Sequence, residues 1–171
     1  YLGNSTSQIV FTLDRNPPLV AFAVPQEGGY SFGAVNVTVQ ATDTASGTNA
    51  STVEYSLDNS TWLNMTAGVA RWNTSSHPNN ATVILYGRAR DFVNNTGYGR
   101  TNTTVDNELP QISVTSPQNG SGISGIVQFS MQARDIYSNV DQGRVSVTLA
   151  GQASLPQCSS QGNATVGCTV L

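Results

Sequence analysis

The chain has 171 residues and carries seven Arg, no Lys and ten Asp or Glu, for a formal net charge of −3. That charged fraction is less than half the ~25% of an ordinary globular protein, yet 38% of residues are apolar, which excludes disorder driven by self-repulsion. No Lys/Arg stripe exists to neutralise phosphates, so nucleic acid is excluded as a partner, and the longest apolar run, 19–24, falls far short of the ~20 residues of a membrane-spanning helix.

In chain order the pattern is that of strands. The chain opens on Tyr1-Leu2-Gly3-Asn4 with no signal-like segment, and reads as a mature product or a fragment. Ile9, Phe11 and Leu13 alternate toward Asp14 and read as a closing strand. Val35-x-Val37-x-Val39-x-Ala41 alternates with Asn36, Thr38 and Gln40, the period of a half-buried strand. Val53-x-Tyr55-x-Leu57 and Val83-x-Leu85-x-Gly87-x-Ala89 follow, then Val127-x-Phe129-x-Met131-x-Ala133 and Val145-x-Val147-x-Leu149. Pro25, Gly28-Gly29, Ser46-Gly47, His77-Pro78 and Asn119-Gly120 break the runs. No useful stretch shows helical spacing, and the fold class is all-β, with antiparallel β-sandwiches.

A shift of 92 residues aligns Pro18 with Pro110, Pro25-Gln26 with Pro117-Gln118, Gly28 with Gly120 and Gly33 with Gly125. It also aligns Gln40-Ala41 with Gln132-Ala133, Asp43 with Asp135, and Leu57 with Leu149. Beyond Leu57 the register changes, and Asn80-Ala81-Thr82-Val83 pairs with Asn163-Ala164-Thr165-Val166. The chain therefore reads as tandem copies. Residues 1–14 are the last strand of a preceding repeat, 15–106 a complete sandwich, and 107–171 a second one that is incomplete at its C-terminal end and stops inside its penultimate strand.

Eleven asparagines stand in Asn-x-Ser/Thr: Asn4, Asn36, Asn49, Asn59, Asn64, Asn73, Asn80, Asn94, Asn102, Asn119 and Asn163. Chance would give about three or four. The excess reads as a surface hydrated by N-glycans in place of charge, or as the passive product of a Ser/Thr/Asn-rich composition. Cys158 and Cys168, the only cysteines, suit a disulfide across a hairpin in an oxidising, extracellular compartment, worth roughly 2–3 kcal/mol.

These motifs resemble the immunoglobulin-like repeats of bacterial and archaeal cell-surface proteins, which are similar to fibronectin type III modules. The resemblance rests on the turns Pro25-Gln26-Glu27-Gly28 and Pro117-Gln118-Asn119-Gly120 and on strands ending Ala41-Thr42-Asp43 and Ala133-Arg134-Asp135. It also rests on the 53–58 strand followed by Trp62, and on Arg88-Ala89-Arg90-Asp91 through Asn95 and Gly97. The second copy has no matching Trp. Such modules serve as stalks, adhesins, lattice subunits and enzyme accessories alike. Trp62, Tyr55, Leu57 and Leu85 read as core, with sugar stacking as the alternative role for Trp62 or Trp72.

Catalysis has little to stand on. His77, the single His, lies in a turn-like stretch, and there is no phosphate loop, CxxC or EF-hand spacing. The acids are better read as calcium ligands or as turn makers. Asp43 and Asp91 end strands that run toward the pole where the chain enters the first sandwich, and Asp14 lies in the linker there. At the next junction Asp106 and Glu108 would face Asp135. The sequence thus points to a non-catalytic structural segment of a glycosylated cell-surface protein (an S-layer, filament or stalk), its partners further copies of itself or neighbouring surface proteins. The absence of Lys tilts the source toward archaea. The alternatives are an adhesin or glycan-binding accessory of a secreted enzyme, and a filament subunit joined by donor strands.

Overall fold

The computed structural model describes residues 8–149, 152–154, 156–162 and 165–170. They form two compact units, one of residues 8–74 and 82–104, the other of 75–81 and the described residues from 105 onward. Among the described residues, apart from two single-turn 3-10 segments, the regular structure is β, as the alternation requires.

In the first unit, β1 (Leu19–Val24), β3 (Ala34–Thr42) and β6 (Val69–Asn73) make one sheet in the order β1-β3-β6. The second sheet holds β2 (Gly29–Ser31), β4 (Thr48–Ser56), β5 (Leu63–Asn64), β7 (Thr82–Asp91) and β8 (Thr96–Val105), in the order β2-β8-β7-β4-β5. Val37 and Val39 of β3, Val53 and Tyr55 of β4, Val83, Leu85 and Ala89 of β7, and Trp72 of β6 are buried. Each fully buried Val or Leu contributes about 1.5–3 kcal/mol. The sheets approach closely where β1 meets β7 and β8: Gly87 faces Phe22 and Val20, and Gly97 and Gly99 lie against the main chain of Pro18 and Val20. At the other edge the Ser31 and Thr103 hydroxyls bond at 2.9 Å and Thr103 Oγ1 donates to the Gly29 carbonyl, which satisfies the buried polar groups between β2 and β8.

The second unit carries β9 (Gln111–Ser116), β10 (Phe129–Arg134), β13 (Gln157–Gly162) and β14 (Thr165–Val170) in a sheet ordered β13-β14-β10-β9, and a hairpin of β11 (Val147–Leu149) and β12 (Gln152–Ser154). Met131, Val166 and Cys168 form its core, with Val140, Val145, Val147 and Cys158 packed against them.

The β1–β3 pairing recurs in the β9–β10 pairing. Val20↔Ala41 and Phe22↔Val39 in β1–β3 become Ile112↔Ala133 and Val114↔Met131 in β9–β10, each offset by 92, and the register irregularity between Phe22 and Val24 has its counterpart before Ser116. Beyond β4 the structure corrects the sequence alignment. β14 pairs with β10 through Ser130↔Thr169, as β6 pairs with β3 through Thr38↔Val69. By its place in the sheet β14 thus stands beside β10 as β6 stands beside β3, and not where β7 stands. Shared Asn-Ala-Thr-Val letters misled the alignment; hydrogen-bond partners identify the strand. Among the described residues the second unit has no counterpart of β7 or β8.

Two further corrections concern side chains. Leu57 is exposed because β4 ends at Ser56, and Trp62 is half-buried against Arg88 and Tyr98 in the segment between β4 and β5, whereas Tyr55 and Leu85 are in the core. The described residues of the expected first strand, 8–14, are in no strand, and Ile9, Phe11 and Leu13 are exposed.

Candidate functional site

Asn4 and Asn163 lie outside the described residues. Of the other nine sequon asparagines, Asn36, Asn59, Asn64, Asn73, Asn80, Asn94 and Asn119 are exposed, Asn49 and Asn102 are half-buried, and none is buried. Asn59, Asn80 and Asn94 have φ of 57°, 66° and 69°, in the left-handed region that Asn tolerates better than most residues. At these three the turn explains the Asn, and at Asn59 it also accounts for Thr61, whose hydroxyl donates to Asp58. Asn49 Oδ1 accepts from Ser51 N and, at 2.7 Å, from Ser51 Oγ, the hydroxyl of its own sequon. At Asn102 the side-chain amide nitrogen, the atom a sugar would take, donates to Glu27.

The acidic pole of the first unit forms as the strand directions imply. One carboxylate oxygen each of Asp14, Asp43 and Asp91 lies within 4.8 Å of the others. Each acid also organises its own loop: Asp43 Oδ1 accepts from Ala45 N and Gly47 N, and Asp91 Oδ1 from Val93 N and Asn95 N. Asp14 accepts from Asn16 N at 2.9 Å and Ser46 N at 3.0 Å. The Ser46 side chain, whose buried hydroxyl completes no well-formed hydrogen bond, lowers the Asp14 pKa most, and the Asn16 and Ser46 amides lower it further against desolvation. Asn95 Nδ2 donates to Asp91 Oδ2 at 2.7 Å and lies 3.4 Å from the Asp14 and Asn16 carbonyls. The residue pair Asp91–Asn95 therefore pins the incoming segment. Sequence spacing flagged Asn95 as part of a motif but not as this tie. Carboxylates and carbonyls make the pole a cluster of hard oxygen donors of the kind calcium takes.

In the second unit Asp106 and Asp135 are buried. Asp106 accepts from Glu108 N, and Asp135 from Tyr137 N and Ser138 N. Glu108 and Asp135 line one small cleft of about 50 Å³. Among the described residues these acids do not gather a third at ligand spacing; only Asp14, Asp43 and Asp91 do so. Cys158 and Cys168 stand opposite each other in β13–β14 and form a disulfide. His77 is half-buried just beyond the 3-10 turn Thr74–Ser76.

The composition gave no warning of the third feature, an aromatic cluster on the outer face of β7 and β8. Arg88 bonds Glu54 at 2.6 Å and lies 4.2 Å over the Trp62 ring, and Tyr98 meets Trp62 edge-on at 6.4 Å. Beside it a cleft of about 360 Å³ is lined by Asn59, Tyr86, Gly87, Tyr98, Gly99 and Arg100. Period-2 alternation announces which residues face outward, but the cross-strand pairs Arg88↔Tyr98 and Tyr86↔Arg100 depend on register. No family model and no curated protein matches this chain.

Proposed function

We propose that the chain is a non-catalytic segment of a heavily N-glycosylated surface structure, an S-layer, filament or stalk built from repeated immunoglobulin-like sandwiches. The observation that carries this reading is that none of the nine described sequon asparagines is buried, on a surface poor in charge. The recurrence of the β1–β3 pairing at an offset of 92 and the disulfide support it. Mass spectrometry of intact glycopeptides from the native source tests it. Occupancy at most of the seven exposed sites is expected, and bare asparagines throughout would refute it.

Calcium belongs to this reading at the pole of Asp14, Asp43 and Asp91, where a cation would replace the Asn95 amide as the tie between Asp91 and the linker carbonyls and so stiffen the joint. The source, archaeal on composition, is part of the same proposal.

One observation favours a second reading, a filament joined by donor strands. Ile112 and Val114 are 67% and 61% exposed, whereas Val20, the counterpart of Ile112, is 6% exposed beneath β7 and β8. Residues 8–13, with Ile9, Phe11 and Leu13 exposed, offer a strand of the right period to a second copy. Such an insertion buries on the order of 1,000 Å², the lower bound of a specific interface. Light scattering across a concentration series tests this: assembly abolished by Phe11→Asp supports the filament, and a monomer at every concentration removes it.

A further inference from the structure

The cleft on β7 and β8 has the chemistry of a sugar site, and one of its walls is a sequon. We infer that it is the seat of the glycan attached to Asn59 of the same chain, an inference that rests on the glycosylation proposed above. Gly87 and Gly99 are directly opposed in the β7–β8 ladder, flanked by the pairs Tyr86↔Arg100 and Arg88↔Tyr98. Residues two apart on a strand stand ~7 Å apart, so the two rows wall a slot whose floor is glycine backbone. Its volume, about 360 Å³, lies at the small end of the ~300–1,000 Å³ of ligand clefts.

The walls are preorganised. The Glu54–Arg88 ion pair holds the guanidinium over Trp62, and Trp62 braces Tyr98 edge-on. Tyr98 nevertheless remains 66% exposed: a large ring held in place with one side uncovered. Aromatic faces suit the C–H face of a pyranose, and Tyr hydroxyls and the Arg100 guanidinium supply hydrogen-bonding partners for its hydroxyl and acetamide groups.

The turn that carries Asn59 is fixed as well. Asp58 accepts from Ser60 N at 2.8 Å, Thr61 N at 2.7 Å, Thr61 Oγ1 at 2.9 Å and Ser56 Oγ at 2.9 Å. Asn59 follows it in the left-handed conformation and lines the slot. A sugar on Asn59 Nδ2 therefore starts at the slot, and tethering raises its effective concentration there without any need for intrinsic affinity. Asn102 lines a neighbouring cleft with Arg100, but its amide nitrogen is engaged by Glu27; of the described sequon asparagines Asn59 is the one that lines the cleft between Tyr86 and Tyr98.

The experiment uses the full chain produced by a glycosylating host. Glycopeptide mapping first reports occupancy. Thermal unfolding followed by tryptophan fluorescence then compares wild type, Asn59→Gly (no sugar, left-handed turn kept), Tyr98→Ala, the double variant, and Asn36→Gln as a sugar lost from another face. Each is measured before and after enzymatic deglycosylation. The expected result is that the Asn59 glycan raises the midpoint by ~3 °C, and that this gain disappears in Tyr98→Ala but not in Asn36→Gln. A bare Asn59 with other sequons occupied overturns the inference alone, as does a gain that survives Tyr98→Ala. A chain bare at every sequon overturns both the inference and the glycosylation reading.

Discussion

Gly97 closes the motif that runs from Arg88 through Asp91 and Asn95, and the structure gives it a mechanical reason. A Cβ placed on it would stand 1.9 Å from the Pro18 carbonyl oxygen and 2.9 Å from the Pro18 carbonyl carbon. Restoring a van der Waals contact of ~3.5 Å requires β8 and the start of β1 to separate by roughly 1.5 Å. Both sides of the contact are main chain, so no rotamer change relieves it. Overpacking costs ~1–3 kcal/mol and at times more, and Gly97→Ala belongs at the upper end, about 3 kcal/mol. For a unit of this size that lowers the unfolding midpoint by roughly 15 °C. The assay is urea and thermal unfolding read by tryptophan fluorescence. Trp62 and Trp72 are the only tryptophans and both lie in the first unit, so the signal reports that unit alone. Gly122→Ala, which lies in the second unit and is therefore read by far-UV circular dichroism, is the control, because a Cβ there meets nothing within 4 Å; it should be neutral or raise stability by up to ~1 kcal/mol through the unfolded chain. A Gly97→Ala variant within ~0.5 kcal/mol of wild type would refute the reasoning.

Three other outcomes follow from the same geometry. Replacing the cystine by Cys158→Ala with Cys168→Ala opens a loop of sequence separation 10 and should cost the second unit ~3 kcal/mol from loop entropy, read as faster amide exchange in β10 and β14; unchanged exchange would show that pairing alone holds the hairpin. Four donors, led by Thr61 N, hold the Asp58 carboxyl far below the usual range. Its stabilisation is therefore full above the unfolded pKa of ~3.9 and is lost as pH falls through the lowered folded value. Wild type should lose urea resistance more steeply than Asp58→Asn below pH 4, and parallel pH profiles would contradict the assignment. Millimolar calcium should raise the midpoint of the first unit, chelator should reverse the rise, and Asp43→Asn should abolish it; an unmoved midpoint leaves the Asn95 and Ser46 hydrogen bonds to hold the incoming segment at that pole.

How much of this was legible beforehand depended on whether a property is periodic or relational. Val37, Leu85 and Ala133 declared themselves by alternation, and each is buried. The convergence of Asp14, Asp43 and Asp91 agrees with the reading that the strands leading to Asp43 and Asp91 run to the pole where the chain enters, although β3 and β7 lie in different sheets. Trp62 was misread as core because apolar character argues for burial, while its place was decided by Arg88 and Tyr98 beyond the end of β4. Leu57 failed for a simpler reason: the strand ended one residue early and the alternation stopped carrying meaning. The identity of Thr165–Val170 was hidden because the 92-residue register is interrupted by the β12–β13 region, and only partners, not letters, distinguish a β6 from a β7. The aromatic slot needed the β7–β8 register, which local composition does not encode.

The left-handed asparagines at 59, 80 and 94 bear on how this surface would change over evolutionary time. Glycine is the other residue at ease in that conformation. A lineage that kept these turns and lost its sugars would drift between Asn and Gly there, with Thr61, Thr82 and Thr96 free to vary unless they serve the fold. Thr61 does serve it, through Asp58. At Asn36 on β3 no turn demands an Asn, so of the reasons considered only the proposed glycan would hold the residue there. Substitution at Thr38, two positions on, is therefore the cleaner historical marker of whether glycosylation is under selection.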